Sequence, residues 1–212
     1  MTAQMSDHFR YQDVDYSIIV SRPRRLFSPT IFGLEPVMLH TACYRGFVVH
    51  YALNNRQLMV EKFLVGLTEK DGEQSVPKVG PPINGISPTT ESQKPSHQNW
   101  YNDFNYPFKY TGGILLGNDF MRDLYVHGGT HPVWKYKTVI ELSFNDGILL
   151  QAFDRSQQIA DICRNFFKSD NRLESDLDTL IDQACEHPYY AFFDDSEELD
   201  DEPSSDDYEP ID

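Results

Sequence analysis

His127 and His131 stand four residues apart in the run DLYVHGGTHPVWKY (Asp123–Tyr136), with Gly128 and Gly129 between them and Tyr125, Trp134 and Tyr136 around them. Two chemistries suit such a pair. On a helix, imidazoles at i and i+4 share a metal ion, but the two glycines and Pro132 argue against a helix here. On a strand both rings point to one face about 13 Å apart, too far to share an ion. Only a tight turn through the glycines would fold them together, with Asp119, Asp123 and His50 as further ligands. The spacing favours no convergence and therefore no metal: His127 reads as a polar group fixed in a glycine-cornered sheet.

The second chemistry is proton transfer. Tyr125, His127, Asp123 and Asp154 form a candidate acid–base group. Tyr125, His127, His131 and Trp134 are the candidate lining of a small-molecule or nucleotide pocket. Cys43 is a nucleophile only with a histidine beside it. The frames that normally support such groups are missing, since no GxSxG elbow, Walker loop or GxGxxG occurs. GGILLG (Gly112–Gly117) is followed by no lysine and opens no helix, so it reads as a tight sheet corner. Arg45 and the Asp154–Arg155 step are candidates for a charged pair locking sheet to helices. Arg45, Trp134 and Arg155 are also the candidate ligand-binding residues. No cofactor is expected.

Charge points to binding rather than catalysis. The 212 residues carry 33 acids against 18 Lys and Arg, a net of −15. Eleven of the acids lie in Asp194–Asp212, which holds no base, so 22 acids face 18 bases elsewhere, a net of −4. A run of this kind is expected to be a disordered, extended acidic tail. It also resembles a string of phosphates and suits a basic surface on another protein. Direct nucleic-acid binding is not expected, because RPRR (Arg22–Arg25) is the only basic cluster. Neither a spanning apolar run nor an apolar leader core is present, so a cytoplasmic protein without membrane contact is expected. Cys43, Cys163 and Cys185 form no CxxC and read as reduced thiols, Cys163 and Cys185 as packing residues on or beside the helices.

The elements follow from periodicity. Tyr16–Val20 is a strand, and Tyr44–Ala52 and Gln57–Val65 form a hairpin about Asn54-Asn55. Thr68–Asn99 holds five prolines and little periodicity, and is expected to be a structureless insertion or a partner-contacting loop. Tyr110–Leu116 is a strand. Ile140, Leu142 and Phe144 alternate against Val139, Glu141 and Ser143, and Asn145-Asp146-Gly147 turns the chain into Ile148–Phe153. Ile159, Ile162, Cys163, Phe166 and Phe167 then mark one helical stripe, with Asp154 or Ser156 as its cap, and Leu177, Leu180, Ile181 and Ala184 mark a second. The expected fold is α+β. A curved antiparallel sheet built from hairpins carries two C-terminal helices, all in one domain over residues 1–193, followed by the tail at 194–212.

TACYRGF (Thr41–Phe47), paired with the later YTGGILL and LYVHGG segments, resembles a group of small soluble bacterial proteins of mixed, β-rich fold. In that group an S/TAxWRGY segment precedes a YVHMG segment. The resemblance covers Thr41–Leu67 and Tyr110–Asp154 and departs at Tyr44, where the group has Trp, and at Gly128, where it has Met. It implies a soluble bacterial protein, similar in style to immunity and defence proteins, and assigns no reaction. The expected function is thus an antitoxin-like or immunity-like protein–protein interaction module without catalysis, whose tail engages a basic partner. The runner-up is an enzyme using the pocket named above.

Overall fold

A computed structural model describes residues 2–24, 26–90, 97–121, 129–168 and 174–190. Its frame is a chain of antiparallel hairpins. Strands β1 (His8–Tyr11) and β2 (Val14–Arg22) turn at Gln12-Asp13, and β3 (Phe47–Asn54) and β4 (Gln57–Gly66) at Asn55-Arg56. Strands β5 (Thr68–Asp71) and β6 (Gln74–Pro77) form a separate small hairpin, and β7 (Gln98–Tyr101) and β8 (Tyr106–Pro107) both pair with β4. Strand β9 (Gly112–Phe120) pairs with β10 (Tyr136–Asn145), which turns at Asp146-Gly147 into β11 (Ile148–Asp154). Helices α1 (Ser156–Phe166) and α2 (Glu174–Ala184) follow.

The main sheet runs β11-β10-β9-β2-β1-β3-β4-β7, and Ile148 of β11 also pairs with Gln57 of β4. Seven strands therefore curl into a ring whose ends meet where two tight turns touch. Both turns take positive φ at their central residues, Asn55 at 49° and Arg56 at 70°, Asp146 at 46° and Gly147 at 77°. That is the geometry a two-residue hairpin needs. Leu58 N–H donates to Gly147 O at 2.7 Å and Leu149 N–H to Arg56 O at 2.8 Å. The Arg56 guanidinium also donates to the Leu149 and Leu150 carbonyls. Gly147 is required for space as well as φ, because a Cβ there would collide with Phe108 O.

The inside of the ring is filled. Phe9, Phe27, Tyr51, Phe63, Tyr101, Phe104, Tyr110 and Phe144 are buried there with Val49, Val60, Ile114, Leu116 and Leu142. Phe63 and Tyr101 stack at 4.6 Å, and the Tyr51 hydroxyl accepts from Phe27 N–H at 3.1 Å. A second core lies outside the ring, where α1 and α2 set Ile159, Phe166, Leu177 and Ile181 over Leu115 and Val139. Cys163, on the first stripe, and Cys185, beside the second, pack partly buried against that core.

Strand β10 is thus covered on both faces, and its outward Glu141 is fully buried. One carboxylate there satisfies donors from three places in the chain. Arg155, only 14% exposed, donates to Oε2 through Nε at 2.8 Å, and its Nη2 stands in an ion pair with the same oxygen at 2.8 Å. Oε1 accepts from Glu186 N–H at 2.9 Å, His187 N–H at 3.3 Å and the Tyr189 hydroxyl at 3.1 Å. Sheet, helix entry and C-terminal segment are joined at this side chain. The cap position of the first helix is Arg155, which makes no side-chain cap bond, rather than Asp154 or Ser156; Asp154, one residue earlier, accepts from Ser156 N–H at 2.9 Å.

The antiparallel α+β expectation is met, with three revisions. His8–Tyr11, within a polar lead, is a strand, and it pairs in parallel with β3, the one parallel contact among the described strand pairs. The first of the two β3–β4 hairpin strands starts at Phe47 rather than Tyr44, because Leu39–Gly46 is a tight loop folded on a His40–Cys43 bridge. The proline-rich segment is not structureless in its described residues. Besides β5 and β6 it holds an Ile83–Ile86 bridge, and Thr89 pairs with Trp100. Buried Asn99 ties it down, accepting from Gly80 N–H at 2.9 Å and donating to Lys78 O and His97 O at 3.0 Å. Residues 91–96 and the tail at 194–212 lie outside the described residues.

Removing the Glu141 carboxylate leaves Arg155 and three other donors buried without their acceptor. Glu141→Ala is expected to cost about 3–5 kcal/mol in urea unfolding. A loss below about 1 kcal/mol would show that the carboxylate does not join these segments.

Candidate functional site

Residues 2–6 cross the outside of the ring and separate two clefts. Gln4 pins this strap. Its N–H donates to Gly129 O at 2.9 Å, its side-chain amide donates to Thr41 O at 3.1 Å, and its Oε1 accepts from Tyr44 N–H at 3.1 Å. Met5 N–H donates to Ala42 O at 2.7 Å.

The first cleft, about 530 Å³, is lined by Gln4, Met5, Ser6, His8, Ser17, Phe120, His131 and Tyr136. Its floor is the outer face of four strands. His8 sits opposite Ser17, Ser17 opposite Gly117, and Phe120 opposite Tyr136. Gly117 lets the Tyr136 ring lie down on β9, since a Cβ there would come within 2.6 Å of it. Phe120 meets His131 at 4.5 Å and Tyr136 edge-on at 5.4 Å. Burial raises the Tyr136 hydroxyl pKa, and a hydrogen bond with Ser17 opposes that rise.

Behind this cleft His8 stacks on His50, with ring centroids 4.6 Å apart. Lys62 is opposite His50 on β4, and Trp100 stands 5.9 Å from the His50 ring. Burial lowers the His50 pKa to about 4, helped by His8 and Lys62 and opposed by Asp15. Burial also lowers that of His8, with Asp7 and Asp15 opposing and Lys62 and Arg45 assisting. Burial, then Lys135, lowers that of His131.

The second cleft, about 500 Å³, lies across the strap and is lined by Thr2, Gln4, Met5, Cys43, Tyr44, Arg45, Gly129 and Thr130. Tyr44 is 63% exposed and Met5 41%. Arg45 grips Asp7 with two bonds, 2.9 Å and 2.5 Å, and donates to Phe47 O at 2.9 Å. Asp7 in turn accepts from Val49 N–H at 2.7 Å. The Cys43 thiol is buried and donates to Phe47 O at 3.4 Å.

The residues singled out from sequence are dispersed. Of the proposed pocket, His131 lines the first cleft, whereas Trp134 packs on Phe167 at 5.8 Å beside the helices. Asp123, Tyr125 and His127 lie outside the described residues, so the question of convergence with His131 does too. Arg45 and Arg155 do not share one pair. Asp7 holds the first and Glu141 the second, with Glu186 at 3.3 Å. Both acids were passed over because they are 38 and 14 residues from their arginines in the chain. Asp119 faces Lys137 at 3.0 Å. Among the described residues no three His, Cys, Asp or Glu gather as a metal site, and no helix is long and apolar enough to cross a membrane. Sequence reasoning missed His8, Ser17 and Tyr136 as a group. The available signal was the alternation of His8 and Arg10 with Phe9 and Tyr11 across the Gln12-Asp13 turn.

Fold and clefts together define a filled, helix-buttressed antiparallel sheet with two clefts on its outside. The chain matches no protein-family model, no curated protein and no solved structure.

The buried imidazoles have a linkage consequence. A histidine whose folded pKa is depressed binds its proton in the unfolded chain first, so it stabilises the fold above the unfolded pKa near 6.5 and costs stability as pH falls. Unfolding free energy is expected to drop between about pH 6.5 and pH 4. His50→Gln should flatten that slope relative to the parent. Equal slopes in the two proteins would contradict the assignment.

Proposed function

We propose that this chain acts by binding another protein, without catalysis, and that the partner presents a basic surface. The observation that carries the reading is the second cleft. There an exposed Tyr44 ring stands beside Met5 and Arg45 on a backbone pinned by Gln4. Tyr, Met and Arg are the side chains enriched at protein interfaces, and a pre-positioned aromatic loses little entropy when it docks. The ring interior is occupied by aromatic and aliphatic side chains, Phe9, Tyr51, Phe63 and Phe144 among them, which agrees with a reading that uses the outer face.

Eleven acids in residues 194–212 supply the long-range part. They attract a basic surface and raise the encounter rate, while Tyr44 and Met5 set how long the complex lasts. The resemblance of TACYRGF and LYVHGG to small bacterial proteins of immunity-like style agrees with an inhibitory or antitoxin-like role in the cytoplasm of a bacterium. Direct binding to nucleic acid is unfavourable at a net charge of −15.

The two parts separate kinetically. With a partner captured from an extract of the source cells, a chain ending at Phe193 should associate more slowly and lose most of its salt dependence. Tyr44→Ala should leave association unchanged and speed dissociation about tenfold or more. A truncated chain with the same association rate and salt dependence would rule out the role of the acids.

A further inference from the structure

One strand of the closed ring still carries an unpaired edge. Strand β11 pairs with β10 on one side, whereas on the other, among the described residues, only Ile148 and Leu149 meet the β3–β4 turn. Beyond that contact Leu150, Gln151, Ala152 and Asp154 are exposed, Leu150 by 54%. The direction of their backbone groups follows from alternation. Val139 turns its carbonyl and N–H to the β11 side, where they meet Arg155 N–H at 2.9 Å and Ser156 Oγ at 3.0 Å. Glu141 and Ser143 repeat that direction, so their partners Phe153 and Gln151 bond to β10. Ala152 and Asp154, out of phase with them, point their N–H and C=O away from β10. We propose that this edge pairs with the same edge of a second copy of the chain, antiparallel about a two-fold axis at Ala152.

The occupant follows from how the stretch matches itself. On the axis Ala152 meets its own copy as a doubly bonded pair, with Cα atoms about 5.5 Å apart and a small side chain at the closest approach. The same register sets Asp154 of one copy opposite Leu150 of the other, whose carbonyl holds the Arg56 guanidinium at 3.0 Å. Asp154 spends Oδ1 on Ser156 N–H, which leaves Oδ2 to that cation. Two opposite-charge meetings therefore flank the axis, one at each end. Sheet edges are normally blunted by Lys, Pro or an inward charge, and Leu150–Phe153 (LQAF) holds none of these. Another protein's strand would satisfy the same backbone groups, but the acid that meets Arg56 at both ends is supplied by this chain's own sequence. Outside residues 194–212 the net charge is only −4, so the bodies of two copies repel weakly. The contact uses neither cleft and stands apart from the partner reading.

Sedimentation equilibrium of the full chain, at about 0.15 M salt to screen charge repulsion, reads the mass directly. It should rise from the 24.5 kDa of one chain toward twice that value between about 10 µM and 1 mM. Ala152→Pro removes the axial N–H without touching a bond to β10, and should weaken association at least about tenfold. In dilute solution its melting temperature should match the parent's. Should it fall instead, Leu150→Glu decides, since it changes an exposed side chain and faces Asp154 of the other copy with like charge; it should weaken association similarly. Ala152→Cys should cross-link two copies on mild oxidation, because about 5.5 Å between Cα atoms suits a disulfide. The parent and Val79→Cys, 64% exposed but off the edge, should not cross-link. A constant mass of 24.5 kDa up to about 1 mM would overturn the proposal. So would a dimer that survives both Ala152→Pro and Leu150→Glu, or an Ala152→Cys chain that fails to cross-link. Slow exchange of the Ala152 amide in a chain that keeps the mass of one copy would put a segment of the same chain on this edge, and would overturn it too.

Discussion

Where the β3–β4 turn meets the β10–β11 turn, β11 joins β4 and seven strands of the main sheet become a ring, with β7 paired to β4 beyond it. Two backbone bonds, between Leu58 and Gly147 and between Leu149 and Arg56, close it, and the Arg56 guanidinium covers the neighbouring carbonyls. Sheet edges expose unpaired backbone groups and invite foreign strands, and closure removes part of that liability. It also decides what the inside can be. A ring of seven strands is narrow enough for side chains to fill, and Phe9, Tyr51, Phe63 and Phe144 do so. The two clefts both lie on the outer face.

That face is divided between two tasks. Over β9 and β10 it is covered by helices, and the outward side chain of a doubly covered strand has to be apolar or fully partnered. Glu141 is the partnered case, and its four hydrogen-bond donors fix how the last described segment approaches the sheet. Over β1 and β2, among the described residues, the face is crossed by the strap at residues 2–6. The same hydrogen bonds that hold the strap set the backbone of Tyr44. The strap thus fixes the walls of both clefts, and a change at Gln4 would be felt in each.

Local signals were legible in the sequence where the chain pairs with its neighbour. Asn55 and Asp146-Gly147 announced two hairpins through the φ values they tolerate, and the Ile159–Phe166 stripe announced a helix. Non-local choices were not legible. The parallel contact of β1 with β3 depends on how the ring is assembled, which no local pattern in DHFRY encodes. The proline-rich segment contains an Asp71-Gly72 turn that marks a hairpin, but its anchorage depends on one buried side chain, Asn99. For the site, His131 stood out because it neighbours glycines and aromatics. His8 and Ser17 are nine residues apart in the chain, and only strand pairing sets them side by side. Charge partners failed for the same reason, since Asp7 and Glu141 become partners of Arg45 and Arg155 only after folding.

The claim that function is confined to the outer face rests on the ring staying closed in solution. Amide hydrogen exchange of the full chain tests this directly. The closing amides, Leu58 and Leu149, should exchange as slowly as Val49 and Tyr51 in the core, at the free energy of global unfolding. Exchange at Leu58 and Leu149 faster by about two orders of magnitude, with the core still protected, would show that the seam opens on its own. The filled interior would then be reachable from the solvent, and function would not be confined to the outer face.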